Sequence, residues 1–230
     1  MDKHLTEHPT EGVLSMVLFF VARHYPVGPK RIRRLLKIMG RQTLYRRKTL
    51  TKQGMKEFIK PYLLKGLEIT RPNQVWCTDI TYILMRHGFM HLTAIIDVYS
   101  RKIVGWGISN SLASKWCKGV LDDAIAIHGK PEIVNTDQGT QYTCALWTQH
   151  LQSMDIKISM DAKGRALDNI WIERFWKSIK YDYIYLNPAE DGFELYEGVQ
   201  KHIAYYNNKT HHTTKQTPNY RYLESNKKAA

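Results

Sequence analysis

The sequence has few cysteines and no long hydrophobic run. Its three cysteines, Cys77, Cys117 and Cys144, are odd in number and widely spaced, with no Cys-x-x-Cys or His/Cys zinc pattern around them. This argues against a disulfide framework and a structural zinc site, and favours a reducing compartment. The most apolar run, Val13 to Ala22, is only half of the roughly 20 residues that a membrane span needs. Acidic residues precede it where a signal peptide has positive charge, so we expect a soluble, cytoplasmic protein without a membrane segment.

Acidic residues are scarce at the amino end. Residues 1 to 66 hold 15 Lys/Arg against 4 Asp/Glu, whereas residues 67 to 230 hold 19 against 17. The formal net charge of +13 is therefore mostly an N-terminal property. Such an excess suits a polyanionic partner such as nucleic acid or an anionic membrane surface.

A basic amphipathic helix is predicted within residues 28 to 48, with Gly40 as its stop. Ile32, Leu35, Leu36 and Met39 recur at i, i+3, i+4 and i+7, which is the spacing of one helix face. Four cations fall mainly on the remaining surface: Arg31, Arg33, Arg34 and Lys37. An ordinary solvated helix and a nucleic-acid-facing helix are both compatible, and the density of cations favours the second. We expect residues 1–66 to form a basic, helix-turn-helix-like DNA-binding region and linker.

The pattern changes to strands at residue 74. Three β-branched and aromatic runs joined by short turns predict an antiparallel meander over residues 74–83, 89–99 and 101–109. Helices and short strands then alternate, with helices over 113–128, 143–154, 169–185 and 193–207, strands over 132–136 and 156–160, and a polar tail at the end. The order predicts an α/β domain over residues 67–230, a mixed sheet flanked by helices.

Two aspartates stand at strand positions that favour a functional site. Asp79 lies inside the first strand, where propensity disfavours aspartate and an unpaired buried carboxylate is costly. Asp137 directly follows the strand over residues 132–136, and ligands gather at the carboxyl ends of strands in α/β folds. An edge-strand surface aspartate and an ordinary Asp-x-Gly turn are the simpler interpretations.

A third acidic residue, Glu173, lies on the helix predicted over 169–185. The apolar stripe of that helix places Glu173 at the edge of the core, where a solvated Glu-Lys pair with Lys177 is the simpler interpretation. Three carboxylates together would suit phosphoryl chemistry, since two Mg²⁺ ions require hard oxygen ligands. Lys177 and Lys180, one and two turns beyond Glu173, would then face phosphates.

Four segments carry a resemblance to a known family. These are TDITY at 78–82, DVYSR at 97–101, TDQGTQYT at 136–143, and KGRALDN at 163–169 continuing through Glu173-Arg174-Phe175. They resemble the OrfB transposases of two-reading-frame bacterial insertion sequences, which are relatives of retroviral integrases. Asp137 and Glu173 are separated by 35 residues, which matches the family's Asp-Asp-35-Glu spacing.

The resemblance implies a ribonuclease-H-like fold with a five-stranded sheet, and an enzyme that uses two Mg²⁺ or Mn²⁺ ions. It assigns Asp79, Asp137 and Glu173 as metal-binding catalytic residues, and implies hydrolysis at element ends followed by attack of a 3′-hydroxyl on target DNA. Lys163 and Arg165 resemble the mobile loop before the catalytic helix and are candidate DNA contacts. Asp97 does not align with the triad, so we expect a structural role, and we expect Asp168-Asn169 to cap the helix.

The resemblance also implies partners. Synapsis of two element ends implies a homo-oligomer on DNA, in the bacterial cytoplasm and associated with the nucleoid. Family chains usually begin further upstream, with a polar, basic stretch where this chain has residues 11–20. We therefore expect a start that is shortened or altered in frame, and an upstream-frame partner that supplies a sequence-reading helix-turn-helix.

Two alternatives remain open at this point. A ribonuclease-H-like nuclease would use similar carboxylates to cut DNA without joining it, although the spacing and flanking motifs speak against it. A DNA-binding remnant without catalysis would keep only the basic N-terminal function; the intact triad argues against this, and the altered start argues for it.

Overall fold

The computed structural model describes residues 1–8, 11–41, 56–161 and 169–229. The chain divides into two compact units, Met1–Thr51 and Lys52–Ala230. This division falls earlier than the boundary between residues 66 and 67 that the charge distribution indicated. The reason is that part of the expected linker packs in the second unit: Leu64 is buried in its core, and the Leu63 backbone N–H donates to Ser159 Oγ at 3.0 Å.

The described part of the first unit contains three helices, α1 (Asp2–Glu7), α2 (Val13–Val21) and α3 (Pro29–Ile38). They share a small core of Leu5, Met16, Ile32 and Leu36. Helix α3 is the basic helix that the periodicity predicted, and it begins with a proline, whose fixed φ suits the first turn. Gly40 has a φ of +61°, the left-handed conformation in which glycine commonly terminates helices. Residues 42–48, the rest of the predicted basic segment, lie outside the described residues.

The second unit is built on a five-stranded mixed sheet, as predicted. Its strands are β1 (Val75–Leu84), β2 (Phe89–Asp97), β3 (Ile103–Ser109), β4 (Ile133–Thr136) and β5 (Lys157–Met160). The order across the sheet is β3-β2-β1-β4-β5. The first three strands are antiparallel neighbours, and β1, β4 and β5 are parallel. The meander thus pairs through hairpins, and the later strands pair through helical crossovers.

Helices cover both faces of this sheet. They are α4 (Ser114–His128), α5 (Ala145–Ser153), α6 (Ile170–Ile179), α7 (Gly192–Asn208) and α8 (Pro218–Ala229), with a 3-10 turn at Lys56–Phe58. Successive residues of a strand point to opposite faces, so the core has two halves. Cys77 and Ile83 pack with α6 and α7, whereas Trp76 and Ile95 pack with α4 and α5.

Two helical segments differ from the sequence prediction. The helix expected over 169–185 is α-helical only to Ile179 and continues as a π-helical turn at Lys180–Ile184. The segment that the sequence marks only as a polar tail contains a helix, because residues 218–229 form α8. Its sequence is mostly polar, and Tyr222 anchors it: this residue is buried, and its hydroxyl donates to Asn73 Oδ1 at 2.7 Å.

Asp97 is placed as a structural residue, at the end of β2. Its carboxylate is fully buried and accepts three hydrogen bonds, from the Asn73 N–H and the Ser100 N–H at 2.8 Å each and from Ser100 Oγ at 2.6 Å. The two bonds from Ser100 close the turn between β2 and β3, and the bond from Asn73 ties this turn to the start of β1. All three bonds lower the pKa of the carboxyl, while burial raises it by more. No helix among the described residues is long and apolar enough to cross a membrane.

Candidate active site

The sheet register brings Asp79 and Asp137 side by side. Strands β1 and β4 are parallel neighbours, and their ladder pairs Cys77 with Asn135. Two residues further on are Asp79, still within β1, and Asp137, the first residue after β4, and the charge of Asp137 acts on Asp79. Neighbouring strands lie about 4.8 Å apart, so the two carboxylates are neighbours.

Asp79 has a raised pKa because its surroundings disfavour its charge. Burial is the main cause of a pKa of about 6, against an ordinary value of 3.8, and the negative charges of Asp137 and Glu173 raise it further. Hydrogen bonds from Trp176 and from the Ile80 backbone oppose this shift. The influence of both other acidic residues shows that the three candidate carboxylates lie within electrostatic range of one another.

The Asp137 carboxylate is held by the turn that follows β4. Its Oδ1 accepts the Gly139 backbone N–H at 2.9 Å, which lowers the pKa, while burial has the larger and opposite effect. The same turn is closed by Thr143, whose hydroxyl donates to the Gly139 carbonyl at 2.9 Å. Asp137 is therefore presented by a hydrogen-bonded turn at the carboxyl end of its strand.

Asp161 ties the end of β5 to this turn. Its backbone N–H donates to the Thr136 carbonyl at 3.0 Å, and its Oδ1 accepts from Asn135 Nδ2 at 2.8 Å. Its own carbonyl accepts from Gln138 Nε2 at 2.8 Å. The β4 and β5 ends are thus locked together on both sides of Asp137.

Helix α6 presents Glu173 at the edge of the core, as its periodicity predicted. Ile172, Phe175, Trp176 and Ile179 are buried against the sheet, and the Glu173 side chain is exposed. Asn169 occupies the N-cap position but makes no capping hydrogen bond, so the expected cap is not formed by this side chain. Asp168, the other residue expected to cap this helix, lies outside the described residues.

The two lysines of this helix have different surroundings. Lys177 is exposed, whereas Lys180 is partly buried and its Nζ donates to Thr81 Oγ1 at 2.6 Å. Burial lowers the pKa of Lys180, and the charge of Asp79 opposes that shift. Lys180 therefore lies on the same face of β1 as Asp79, since Thr81 is two residues from it. The other two expected DNA contacts, Lys163 and Arg165, lie outside the described residues.

The four cations predicted on the N-terminal helix, Arg31, Arg33, Arg34 and Lys37, are all exposed on α3. None of them forms a salt bridge within the described part of the chain. They are therefore available to solvent or to an anionic partner.

The three carboxylates fit a divalent-metal site by the chemistry of their oxygen ligands. Across residues 1–8, 11–41, 56–161 and 169–229, no salt bridge involves Asp79, Asp137 or Glu173. Their oxygens are the hard ligands that Mg²⁺ and Mn²⁺ prefer, and the raised pKa of Asp79 marks a negative cluster that a cation would stabilise. Within the same residues, no group of three or more His, Cys, Asp or Glu stands ready to hold a metal. The residues fit a metal by chemistry, and Glu173 would have to turn inward to join the two aspartates.

Sequence reasoning missed the groups that hold these carboxylates and lysines. Trp176 donates its indole N–H to Asp79 Oδ2 at 2.9 Å, and Thr81 accepts from Lys180. From its spacing alone, Trp176 is one of the apolar residues on the buried side of its helix. Its indole N–H was the available signal, because a buried tryptophan usually finds a hydrogen-bond partner.

Comparison with known proteins places this chain in a family. Residues 69–166 and 154–217 match two models, each described as an integrase core domain. The transposase for insertion sequence element IS904 of Lactococcus lactis is 35% identical over 191 residues, which are 80% of this chain and 75% of that protein. The chain belongs to the insertion-sequence transposases. The family prediction made from the sequence motifs is thereby confirmed.

Two further members of this transposase family are shorter matches. The putative transposase InsK of element IS150 from Escherichia coli is 30% identical over 64% of this chain and 53% of its own length. The transposase InsF of element IS3A from the same species is 35% identical over 50% of this chain and 40% of its own length. The transposase chain thus spans about half the length of these two relatives.

Solved structures support the ribonuclease-H-like fold of the transposase. The HTLV-2 integrase catalytic core domain, solved in complex with magnesium, has a TM-score of 0.57 at 20% identity and covers 67% of this chain and 99% of its own. The catalytic core domain of BIV integrase has a TM-score of 0.55 at 13% identity, covering 68% and 98%. The predicted fold class is therefore confirmed.

Proposed function

We propose that this transposase cuts the ends of its insertion sequence and joins them to target DNA at a site formed by Asp79, Asp137 and Glu173. In the first reaction, water breaks a phosphodiester bond and leaves a 3′-hydroxyl. In the second, that hydroxyl attacks a phosphodiester of the target, so that one P–O bond forms as another breaks. Both reactions require a site that stabilises negatively charged oxygens, side chains that bind phosphate, and an arrangement that brings DNA ends together.

The observation that carries this proposal is the pairing of β1 with β4. Asp79 and Asp137 each follow the last paired residues of β1 and β4, Cys77 and Asn135, by two positions, and neither forms a salt bridge among the described residues. A protein built only to bind DNA gains nothing from concentrating negative charge there, because phosphates are repelled by it. A divalent-cation site explains why the cost is tolerated.

Asp79, Asp137 and Glu173 would hold the cations. When bound, two Mg²⁺ or Mn²⁺ ions would supply Lewis-acid activation of the attacking oxygen and stabilisation of the leaving oxygen. The magnesium in the HTLV-2 integrase core structure is in keeping with this choice of metal. Asp79 and Asp137 are fixed by β1 and by the turn after β4, whereas Glu173 is exposed on α6 and supplies the adjustable third carboxylate.

Lys180 and Lys177 would bind the DNA phosphates next to this site. Lys180 is held beside β1 by Thr81, so its ammonium group is positioned before DNA arrives. Lys177 is exposed one turn from Glu173 and can reach the backbone further along the strand. Lys163 and Arg165 are proposed as further contacts on the evidence of the sequence resemblance alone.

The basic region of residues 1–66 would bind DNA outside the catalytic centre. The exposed cations of α3 give this region its phosphate-binding surface. We further propose that the transposase acts as a homo-oligomer on two element ends, with an upstream-frame protein contributing sequence recognition. Binding through Arg31, Arg33, Arg34 and Lys37 should fall steeply as salt concentration rises, and a flat salt dependence would remove α3 from the interface.

A joining assay tests the proposal. Purified protein is incubated with Mn²⁺, labelled element-end DNA and a supercoiled target, in parallel with an Asp137→Asn variant. Joined products are expected with the unaltered protein and not with the variant, because Asp137 would no longer supply a charged ligand. Asp123→Asn is the matched control, since Asp123 is exposed on α4, away from the site, and should join DNA normally.

Each other outcome supports a different function. Cleavage without joining, lost in the Asp137→Asn protein, would indicate a nuclease. Metal-independent DNA binding with neither reaction would indicate a DNA-binding remnant. To separate a remnant from an enzyme that lacks its upstream partner, the assay is repeated with a pre-cleaved end, which needs no end processing.

A further inference from the structure

We propose that Trp176 is a positioning residue of the strand-transfer site: its indole N–H fixes the orientation of the Asp79 carboxylate and holds the Glu173 helix against β1. This inference rests on the proposed function, because it assumes that Asp79 and Glu173 serve one site. It assigns to Trp176 a role that acts through Asp79 and not through DNA.

The contact is direct and its geometry is favourable. Trp176 Nε1 lies 2.9 Å from Asp79 Oδ2, a normal hydrogen-bond distance, across 97 residues of sequence. Trp176 is 7% exposed, and its ring packs against Phe175 with 5.3 Å between ring centroids. The donor is therefore immobilised by packing, and the carboxylate that it holds has its Oδ2 fixed in space.

Trp176 also connects two of the three carboxylates mechanically. It follows Glu173 by three residues on α6, which places the two side chains about one helical turn apart. The bond to Asp79 therefore adds a polar contact to the apolar packing of α6 on β1, one helical turn from Glu173. Loss of this bond would loosen both carboxylates at the same time.

An indole is well suited to this task because it is neutral. A lysine or arginine at this position would neutralise Asp79 and compete with a metal ion, whereas an indole N–H donates one bond and leaves the negative charge in place. The chain has other buried indoles whose N–H groups have no partner within the described residues, at Trp116 and Trp147. Burial of a tryptophan in this protein therefore does not by itself give its N–H a partner. The bond from Trp176 to Asp79 is a specific feature of this position.

Metal binding without DNA tests the proposal. Mn²⁺ is titrated into DNA-free protein, and free Mn²⁺ is measured by electron paramagnetic resonance. Trp176→Phe keeps an aromatic ring and removes the donor, and it should weaken Mn²⁺ binding by roughly 10- to 100-fold, as found when a ligand loses its outer partner. Trp147→Phe is the matched control: it removes an equally buried indole whose N–H has no described partner, and it should bind Mn²⁺ as the unaltered protein does.

The Asp79→Asn variant distinguishes the proposed metal site from the proposed positioning role of Trp176. If Asp79→Asn binds Mn²⁺ like the unaltered protein, the proposed metal site itself is wrong. If Asp79→Asn loses Mn²⁺ but Trp176→Phe keeps the original affinity, the metal site stands and the positioning role is overturned. Equal weakening in Trp147→Phe would also overturn it, because loss of packing alone would then be sufficient.

A second measurement does not depend on a folded variant at position 176. In protein with ¹⁵N-labelled tryptophan, at least one of the six indole N–H signals should move when Mg²⁺ is added, because the acceptor of that N–H changes its charge environment. The shift should be absent in Asp79→Asn protein. Six unmoved signals in the unaltered protein, under conditions where Mg²⁺ binds, would overturn the proposal.

Discussion

Asp79→Asn should stabilise the metal-free transposase at neutral and alkaline pH. In the folded protein the ionised Asp79 carboxylate is disfavoured, first by burial and then by the negative charges of Asp137 and Glu173. Asparagine has nearly the same shape, carries no charge and retains an oxygen that can accept the Trp176 bond. The variant therefore removes an unfavourable charge without removing the contact that holds the side chain.

The size of the effect follows from the raised pKa. The folded value of about 6 lies above the ordinary value of 3.8, so the folded state binds the proton more tightly than the unfolded chain does. The free-energy cost of ionising Asp79 in the folded protein begins near the unfolded pKa. It grows as the pH rises and is complete above the folded pKa. At 1.36 kcal/mol for each tenfold change in proton affinity, the full cost is about 3 kcal/mol at pH 8 and about 0.5 kcal/mol at pH 4.

Urea unfolding followed by tryptophan fluorescence measures this difference. All six tryptophans lie between residues 76 and 176, so the signal reports on the unit that contains the site. The free energy of unfolding of the variant, minus that of the unaltered protein, is determined in EDTA at pH 8 and at pH 4. Added Mg²⁺ should stabilise the unaltered protein at pH 8, because ligands that bind the folded state raise its stability, and should leave the variant unchanged.

A comparison variant at the fully buried carboxylate of Asp97 should be less stable than Asp79→Asn at pH 8. Asp97→Asn exchanges one acceptor oxygen for an NH₂ group, so a bond from Asn73 or Ser100 is lost and a buried donor is left without a partner. These losses cost about 1–3 kcal/mol, and removal of a carboxylate whose pKa is raised by burial offsets part of that cost. The reasoning about Asp79 is refuted if Asp79→Asn is as unstable as Asp97→Asn at pH 8, or if its gain in stability is the same at pH 4.

Three other substitutions test contacts around the site. Thr81→Val removes the acceptor of Lys180 Nζ and should lower the rate of strand transfer while changing the free energy of unfolding by no more than about 1 kcal/mol; an unchanged rate would mean that Lys180 needs no anchor. Gly198→Ala places a methyl group against the Tyr183 hydroxyl and should cost about 1–3 kcal/mol in urea unfolding; an unchanged midpoint would show that the Tyr183 ring turns away at little cost. Asp191→Ala removes the N-cap of α7, which accepts two backbone N–H groups at 2.9 Å, and should cost about 1 kcal/mol, whereas an equal loss in Asp191→Asn would show that capping is not the cause.

The sheet and its position in the chain could be predicted because its signals are local. Strand periodicity located the meander and the two short parallel strands, and helix periodicity located the covering helices. The basic helix ends close to Gly40, and the first strand ends before positions 87–88, as the sequence indicates. Helix α8 could not be predicted in this way. Its sequence is mostly polar, and what fixes it is Tyr222, whose hydroxyl bond to Asn73 spans 149 residues.

The candidate site shows the same division between local and long-range information. The position of Asp137 after a strand is a local fact, and so is the place of Glu173 on an amphipathic helix. The contacts that orient the site are not local: Trp176 reaches Asp79 across 97 residues and Lys180 reaches Thr81 across 99. Both contacts require that α6 packs on β1, which no periodicity specifies.

Glu173 illustrates why the site is recognised only as a set. Its side chain is exposed in the folded protein, where it still resembles one half of a surface pair with Lys177. Only its electrostatic effect on Asp79, and the register that aligns Asp79 with Asp137, join it to the other two carboxylates. In the proposed site a solvent-facing third ligand would have a physical advantage, because three buried carboxylates would repel one another strongly before any cation arrived. An exposed glutamate that turned inward when the metal bound would avoid that cost.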